Sequence, residues 1–182
     1  MRRPVVAIVG RPNVGKSTLF NRFLGTRSAI VESEPGVTRD RIYGEAEWLN
    51  KRFYVIDTGG IETETTDDLL IQARHQAEIA MEEADVILFV VDGRQGVTAL
   101  DENIAQMLRR TNRPVILVVN KIDTIDLEMS IFEFYALGFD KVIGISADHG
   151  KNVGDLLDMV LEYFPDLSHD DYEEDVIRVA VI

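Results

Sequence analysis

The sequence predicts an α/β fold: a doubly wound, mostly parallel sheet of six strands flanked by helices. Two patterns carry this expectation. Short runs rich in Val and Ile, bounded by Gly, Asp or Asn, alternate with longer stretches of helical period. Several of those runs are apolar at every position, which is how a strand covered on both faces reads. The length of 182 residues, with 46% apolar and 28% charged content, suits one globular domain with its own core.

Taken in order, the first apolar run is a buried strand at Val5–Val9, followed by a glycine-bearing loop and a helix over Lys16–Leu24. Strands are expected at Arg41–Trp48 and at residues 53–57, with Trp48, Phe53 and Tyr54 packing on the sheet. A helix over residues 67–83 leads to a strand at Val86–Asp92, and a helix over residues 99–110 leads to a strand at Val115–Asn120. The last elements are a helix over residues 130–136, a strand at residues 142–145 and a helix over residues 153–163. Each helix follows a loop and returns the chain to the sheet, as crossover connections require. Residues 25–40 and 59–66 fit neither period and are expected as mobile loops beside the strongest motifs.

A formal net charge of -13 argues against this chain wrapping nucleic acid by itself, because a phosphate backbone needs a concentrated basic surface. The absence of cysteine removes disulfides and thiolate metal sites and fits a reducing compartment, with the cytoplasm as the default. The opening apolar run is too short for a secretory core or a membrane span. Acid is concentrated near the end, in Asp166, Asp170, Asp171, Glu173, Glu174 and Asp175, and this stretch reads as a solvated linker. Beyond it, Val179-Ala180-Val181-Ile182 echoes Val6-Ala7-Ile8-Val9, either as an extra edge strand or as the start of a repeat. His75, His149 and His169 are too scattered to suggest a metal set.

Gly10-Arg11-Pro12-Asn13-Val14-Gly15-Lys16-Ser17 satisfies G-x-x-x-x-G-K-[ST] between a predicted strand and a predicted helix, the context that gives the motif meaning. Gly10 and Gly15 permit backbone angles that side chains would obstruct, so successive N–H groups, with Thr18 completing the first helical turn, can face phosphate oxygens. Lys16 adds a point charge for the β and γ phosphates, and Ser17 offers a hydroxyl to magnesium. Asp57-Thr58-Gly59-Gly60 places an acid at the carboxyl end of a strand, where open α/β sheets bind ligands. Asp57 is expected to hold magnesium through water, and the Gly60 N–H to contact the γ-phosphate. Thr38, in Gly36-Val37-Thr38-Arg39-Asp40, is the candidate for a second hydroxyl on the magnesium. Arg39 and Arg41, charged residues beside an acid, read as solvated rather than as a finger.

Asn120-Lys121-Ile122-Asp123 closes another strand. Asp123 can accept from guanine N1–H and the N2 amino group together, whereas adenine would leave a buried carboxylate facing a lone pair. Lys121 is expected to lay its stem over the ring, Asn120 to tie this segment to the phosphate loop, and Ser146-Ala147 to bring a backbone N–H to guanine O6.

These residues, Gly10 through Ser17, Thr38, Asp57 through Gly60, Asn120 through Asp123 and Ser146-Ala147, resemble the five motifs of translation-factor-type GTPases and span nearly the whole chain. Pro4-Val5-Val6-Ala7-Ile8-Val9 leading into the phosphate loop, Pro35-Gly36-Val37-Thr38-Arg39-Asp40-Arg41, Asp57-Thr58-Gly59-Gly60-Ile61, Gln76-Ala77-Glu78-Ile79-Ala80 and Asp92-Gly93-Arg94 resemble the EngA/Der family. The resemblance implies a P-loop NTPase fold of the Ras-like G-domain kind, with a G domain over residues 1–164, an acidic linker over 165–176 and the start of a second G domain over 177–182. It also implies GTP and GDP with Mg2+ as ligands, a second G domain and a KH-like domain as partners within a longer chain, and a role in maturation of the bacterial large ribosomal subunit.

Ile61 stands where Ras-like GTPases carry the glutamine that orients the attacking water, and isoleucine can neither donate nor accept. In potassium-activated GTPases an asparagine at the place of Asn13 helps bind a monovalent cation, so the resemblance also implies K+ stimulation. The competing expectation is a guanine-nucleotide-sensing module with negligible hydrolysis. A P-loop kinase would need an arginine-rich lid, which the sequence lacks.

Overall fold

The structure is a computed structural model that describes residues 2–25, 29–32, 41–60 and 68–165. The expectations for Thr38, Arg39, Ile61 and the acidic stretch with the apolar echo after it lie outside the described residues.

The elements run β1 (Val5–Val9), α1 (Lys16–Leu24), β2 (Ala29–Glu32), β3 (Arg41–Trp48), β4 (Lys51–Asp57), a 3-10 turn (Thr58–Gly60), α2 (Leu69–Glu83), β5 (Val86–Asp92), α3 (Ala99–Leu108), β6 (Val115–Asn120), α4 (Ile125–Glu128), a 3-10 helix (Met129–Leu137), β7 (Val142–Gly144) and α5 (Val153–Leu161). All six expected strands are present, and a seventh, β2, joins them within the stretch expected as loop. The sheet order is β2-β3-β4-β1-β5-β6-β7. Strands β4, β1, β5, β6 and β7 pair in parallel, while β2 and β3 add an antiparallel edge. The β3–β4 hairpin turns at Leu49 and Asn50, with φ of 49° and 63°, the pair of left-handed residues that a type I′ turn needs to match strand twist. The segment expected as a helix at residues 130–136 is a 3-10 helix rather than an α-helix.

The parallel strands are buried on both sides because alternate residues serve different layers. Val6 and Ile8 of β1, Leu88 and Val90 of β5, and Ile116 and Val118 of β6 face α1 and α5. Ala7 and Val9, Phe89 and Val91, and Leu117 and Val119 face α2, α3 and the 3-10 helix. Phe53 sits in the first layer, fully buried, with Phe23 edge-on at 6.5 Å and Phe164 tilted against it at 5.4 Å between ring centroids. Trp48 packs at the margin of that layer and donates Nε1–H to Asp158 at 2.7 Å, and Tyr54 carries the Arg3 guanidinium over its ring at 5.6 Å. Among the described residues, no helix is long and apolar enough to cross a membrane.

The consequence for function is that the carboxyl ends of β1, β4, β5 and β6 lie side by side. Pairing places Ile8 opposite Asp57, Val9 opposite Phe89, and Asp92 opposite Asn120. Neighbouring strands are about 4.8 Å apart, so the loop after β1 emerges between an acid on one flank and a polar cluster on the other.

Removing the Phe53 ring would leave a cavity that two other aromatic rings cannot collapse into. Phe53→Ala should lower the unfolding free energy by about 3–5 kcal/mol in a urea titration followed by circular dichroism; a loss below about 1 kcal/mol would mean the ring is not the anchor of this layer.

Candidate functional site

The loop after β1 wraps around the start of α1 through two residues in the left-handed region, Asn13 with φ of 66° and Gly15 with φ of 97°. Gly15 is also the N-terminal cap of α1, and a Cβ there would run into the Asn120 amide. Gly10 has a different reason to be glycine: its backbone lies so close to the Val90 carbonyl of β5 that no Cβ fits. The expectation that both glycines serve unusual backbone angles therefore holds for Gly15, while Gly10 serves close approach. The first α1 backbone bond runs from Leu19 N–H to the Gly15 carbonyl at 3.1 Å, leaving the N–H groups of Lys16, Ser17 and Thr18 without partners inside the helix and available to an anion.

Lys16 is 7% exposed and donates to the carbonyls of Gly10 at 2.5 Å and Arg11 at 2.8 Å. Burial pushes its pKa down to about 8, with Asp57 opposing the shift and Arg11 adding to it. The lysine is a buried cation whose hydrogen bonds go to carbonyls, with Asp57 as a nearby counter-charge, and a phosphate would add further negative charge at the amine. Ser17 Oγ lies 3.2 Å from Asp57 Oδ2, while Asp57 Oδ1 accepts the Gly59 N–H at 3.0 Å. The sheet thus brings the expected hydroxyl and carboxylate together from 40 residues apart in sequence. The Gly60 backbone belongs to the 3-10 turn that follows them.

At the other end of the cleft, Asn120 is 3% exposed and bonds in two directions. Its Nδ2 donates to the Val14 carbonyl at 2.9 Å, and its Oδ1 accepts from the Ala147 N–H at 2.9 Å. Lys121, with φ of 66°, donates Nζ to the Asn13 carbonyl at 2.8 Å and to Asp92 Oδ2 at 2.9 Å, so its head bridges the phosphate loop and β5. Asp123 accepts from Ser146 Oγ at 2.7 Å on Oδ1 and pairs through Oδ2 with Arg94. The Ser146 hydrogen bond, joined by the Arg94 and His149 charges, holds the Asp123 carboxyl below the usual carboxylate range. The backbone donors expected for guanine O6 are engaged within the protein: Ala147 N–H by Asn120, and Ser146 N–H by the Lys151 carbonyl at 3.0 Å.

Several residues of the site are given no role by the sequence. Asp92 is 2% exposed at the end of β5; burial alone would raise its pKa, but bonds from Lys121 and from the N–H groups of Arg94 and Gln95 outweigh it and hold the carboxyl low. Its signal was available, an acid closing a run of apolar residues at a strand's carboxyl end. Arg94, Arg11 and Asp101 carried no such signal. Arg11 lies 3.4 Å from the fully buried Asp101 and donates to Gln95 at 2.7 Å, tying the phosphate loop to the start of α3. His149 donates its backbone N–H to Ser146 Oγ, a turn contact rather than a metal position.

Lys16, Ser17, Gly59, Asn120 and Lys121 line an open cleft of about 590 Å³, and Asp123 is not among its lining residues. Its lining carries the loop backbone, the Lys16 ammonium and the Ser17 hydroxyl, chemistry suited to phosphate, together with the Asn120 amide and the Lys121 ammonium.

A protein-family profile described as 50S ribosome-binding GTPase matches residues 5–121. Over its full length the chain is 59% identical to GTPase Der of Geobacillus sp. (strain WCH70) and 57% identical to GTPase Der of Clostridium perfringens (strain SM101 / Type A). It spans 42% of the length of each. Among solved structures it is similar to a single-residue variant of Aquifex aeolicus Era bound to GDP.AlF4-, at 38% identity and a TM-score of 0.71, covering 92% of this chain and 59% of that one. The G domain of the T. maritima FeoB iron transporter shares the fold at 25% identity and a TM-score of 0.63, covering 89% of this chain and 99% of that one. Because the profile covers well over half of the residues, the chain belongs to the 50S ribosome-binding GTPase family, and it is similar to that family's GTPase Der along its whole length.

Proposed function

We propose that this chain binds GTP and GDP in the cleft and hydrolyses GTP to GDP and phosphate, as a switch in assembly of the bacterial large ribosomal subunit. The observation that carries the proposal is the pair of hydrogen bonds that Asn120 makes with the Val14 carbonyl and the Ala147 N–H, which makes the phosphate cradle and the base end one unit. The triphosphate lies along the amides of Asn13, Val14, Gly15, Lys16, Ser17 and Thr18, with Gly10 giving the loop its close seat on β5. Lys16 meets the β and γ phosphates, and the Gly60 N–H meets the γ-phosphate. Asp123 accepts from guanine N1–H and N2, Lys121 lies against the ring, and the Ala147 N–H is shared between Asn120 and O6.

Ser17 and Asp57 fit a small hard cation: both donors are oxygen, they face one another, and no cluster of three or more acids or histidines exists among the described residues to hold the ion without substrate. Ser17 and Asp57, with Thr38, would hold magnesium there, and the ion would supply positive charge for the phosphates. Asn13 is the residue for K+. The second G domain, the KH-like domain and the ribosomal contacts belong to the longer relatives, and the net charge of -13 supports RNA contact through those parts rather than through this one. The division into residues 1–164, 165–176 and 177–182 and the cytoplasmic setting are part of the same proposal.

Single-turnover phosphate release from GTP and Mg2+ tests hydrolysis. Release should proceed, and should rise about tenfold or more when Na+ is replaced by K+. Release indistinguishable from the nucleotide's own decay would leave a sensing module, and equal rates in the two salts would remove Asn13 from the cation role.

The low Lys16 pKa gives a pH signature. Without nucleotide, the folded protein holds this proton less tightly than the unfolded chain, so stability rises with pH between about 8 and the ordinary 10.5. Phosphate reverses the preference by favouring the ammonium. Affinity for GDP, measured by calorimetry, should be level below pH 8 and fall by up to about tenfold per unit above it, and Lys16→Ala should lose that fall. An affinity level from pH 7 to 9.5 in the unsubstituted chain would contradict the role given to Lys16.

A further inference from the structure

The residue that orients the attacking water is missing from its usual place, since Ile61 follows Gly60. A different side chain reaches the phosphate end of the cleft from α2. Gln76 lines the same cleft as Lys16 and Gly59, with Gln72 one turn earlier. Gln76 is fastened from behind by Thr58, the fully buried residue between Asp57 and Gly59.

The hydrogen-bond arithmetic at Thr58 fixes how that amide is turned. Thr58 Oγ1 lies 2.7 Å from the Ile8 carbonyl of β1 and 3.3 Å from Gln76 Oε1, an oxygen–oxygen contact that turning the amide over would replace with Nε2. A hydroxyl has one proton, and a backbone carbonyl can only accept, so the proton goes to Ile8 at the shorter distance. The contact with Gln76 then becomes a hydrogen bond only if Gln76 supplies the proton from Nε2. The two ends of a glutamine amide are nearly the same in shape and are assigned by such networks. With Nε2 held on Thr58, the oxygen Oε1 is the end left for the cleft.

We propose that Gln76 is the water-orienting catalytic residue of this chain, with Oε1 accepting a hydrogen bond from the water that attacks the γ-phosphate and Thr58 acting as its positioning residue. This rests on the GTP hydrolysis proposed above. The water oxygen forms the new bond to the γ-phosphorus, the bond from that phosphorus to the β–γ bridging oxygen breaks, and the electron pair leaves with GDP. One water proton stays in the hydrogen bond to Oε1 until it passes to a phosphate oxygen or to solvent, so the amide is unchanged at the end. The carbonyl oxygen orients and does not act as a base, which suits phosphoryl transfer, where positioning dominates. The arrangement also explains how a chain with Ile61 can hold water: the function moves from the loop after Gly60 to a side chain in the middle of α2 that is tied through Thr58 to β1.

Gln76→Met keeps length and volume and removes both hydrogen-bonding ends. In the 182-residue chain its single-turnover rate on GTP should fall about 10- to 100-fold, while the affinity for a fluorescent GDP stays within about twofold of the unsubstituted chain. Thr58→Val, which leaves Gln76 in place without its anchor, should show a smaller loss of rate, again with GDP affinity retained. Three results would overturn the assignment: an unchanged rate in Gln76→Met, a loss of rate in Gln72→Met but not in Gln76→Met, or a loss of GDP affinity that accounts for the whole effect and makes Gln76 a structural tie. If the unsubstituted chain itself releases no phosphate, the proposed hydrolysis fails before Gln76 is tested.

Discussion

The buried amide of Asn120 is the contact on which the arrangement of the cleft depends. Its nitrogen holds the carbonyl of Val14 and its oxygen holds the N–H of Ala147, so three loops from different strands meet on one side chain. Leaving either backbone partner buried and unbonded costs roughly 1–3 kcal/mol. The geometry also demands that Gly15 have no Cβ, because the amide occupies that space. A left-handed glycine at a helix cap and an asparagine more than 100 residues later are thus one design feature, and parallel pairing of β1, β5 and β6 supplies the frame that keeps them in register.

Charge around the cleft is arranged so that cations are confined and their counter-charges are fixed before any ligand arrives. Lys121 is clamped between the Asn13 carbonyl and the nearly buried Asp92, which is itself held by two backbone N–H groups. Arg11 fastens the other side of the phosphate loop to Asp101, whose side chain also closes the capping box of α3 with Thr98. Lys16 stands apart, because its amine rests on carbonyl dipoles and its burial weakens its hold on the proton. A rigid, pre-formed set of donors with one under-compensated cation is what an anion-binding loop needs, since little reorganisation is left for the moment of binding.

Much of this was legible in the sequence, and for stated reasons. Strands apolar at every position, such as Val86 to Val91, can only be covered on both faces, so the doubly wound class followed from the runs alone. The phosphate loop and Asn120 were legible because each motif closes such a run. The strand Ala29–Glu32 was not, since four residues beside Gly25 carry no periodicity of their own and are ordered by pairing with β3. The 3-10 form of Met129–Leu137 was also hidden, because its apolar residues are divided between buried Phe134 and Leu137 and exposed Met129, Phe132 and Tyr135, which blurs the helical stripe. The pairs Arg94–Asp123, Arg11–Asp101 and Thr58–Gln76 join residues 18 to 90 positions apart, and nothing in either partner's neighbourhood announces the other.

In the proposed function Asp123 reads the purine while the loop after β1 holds the phosphates. The most direct test is a comparison of GDP, ADP and xanthosine diphosphate binding to the chain and to Asp123→Asn. The account predicts that GDP binds more tightly than ADP by about 10³-fold or more, and that Asp123→Asn prefers the xanthine nucleotide to GDP, because an amide can donate where the base now accepts. Equal competition by ADP, or a guanine preference that survives Asp123→Asn, would contradict it.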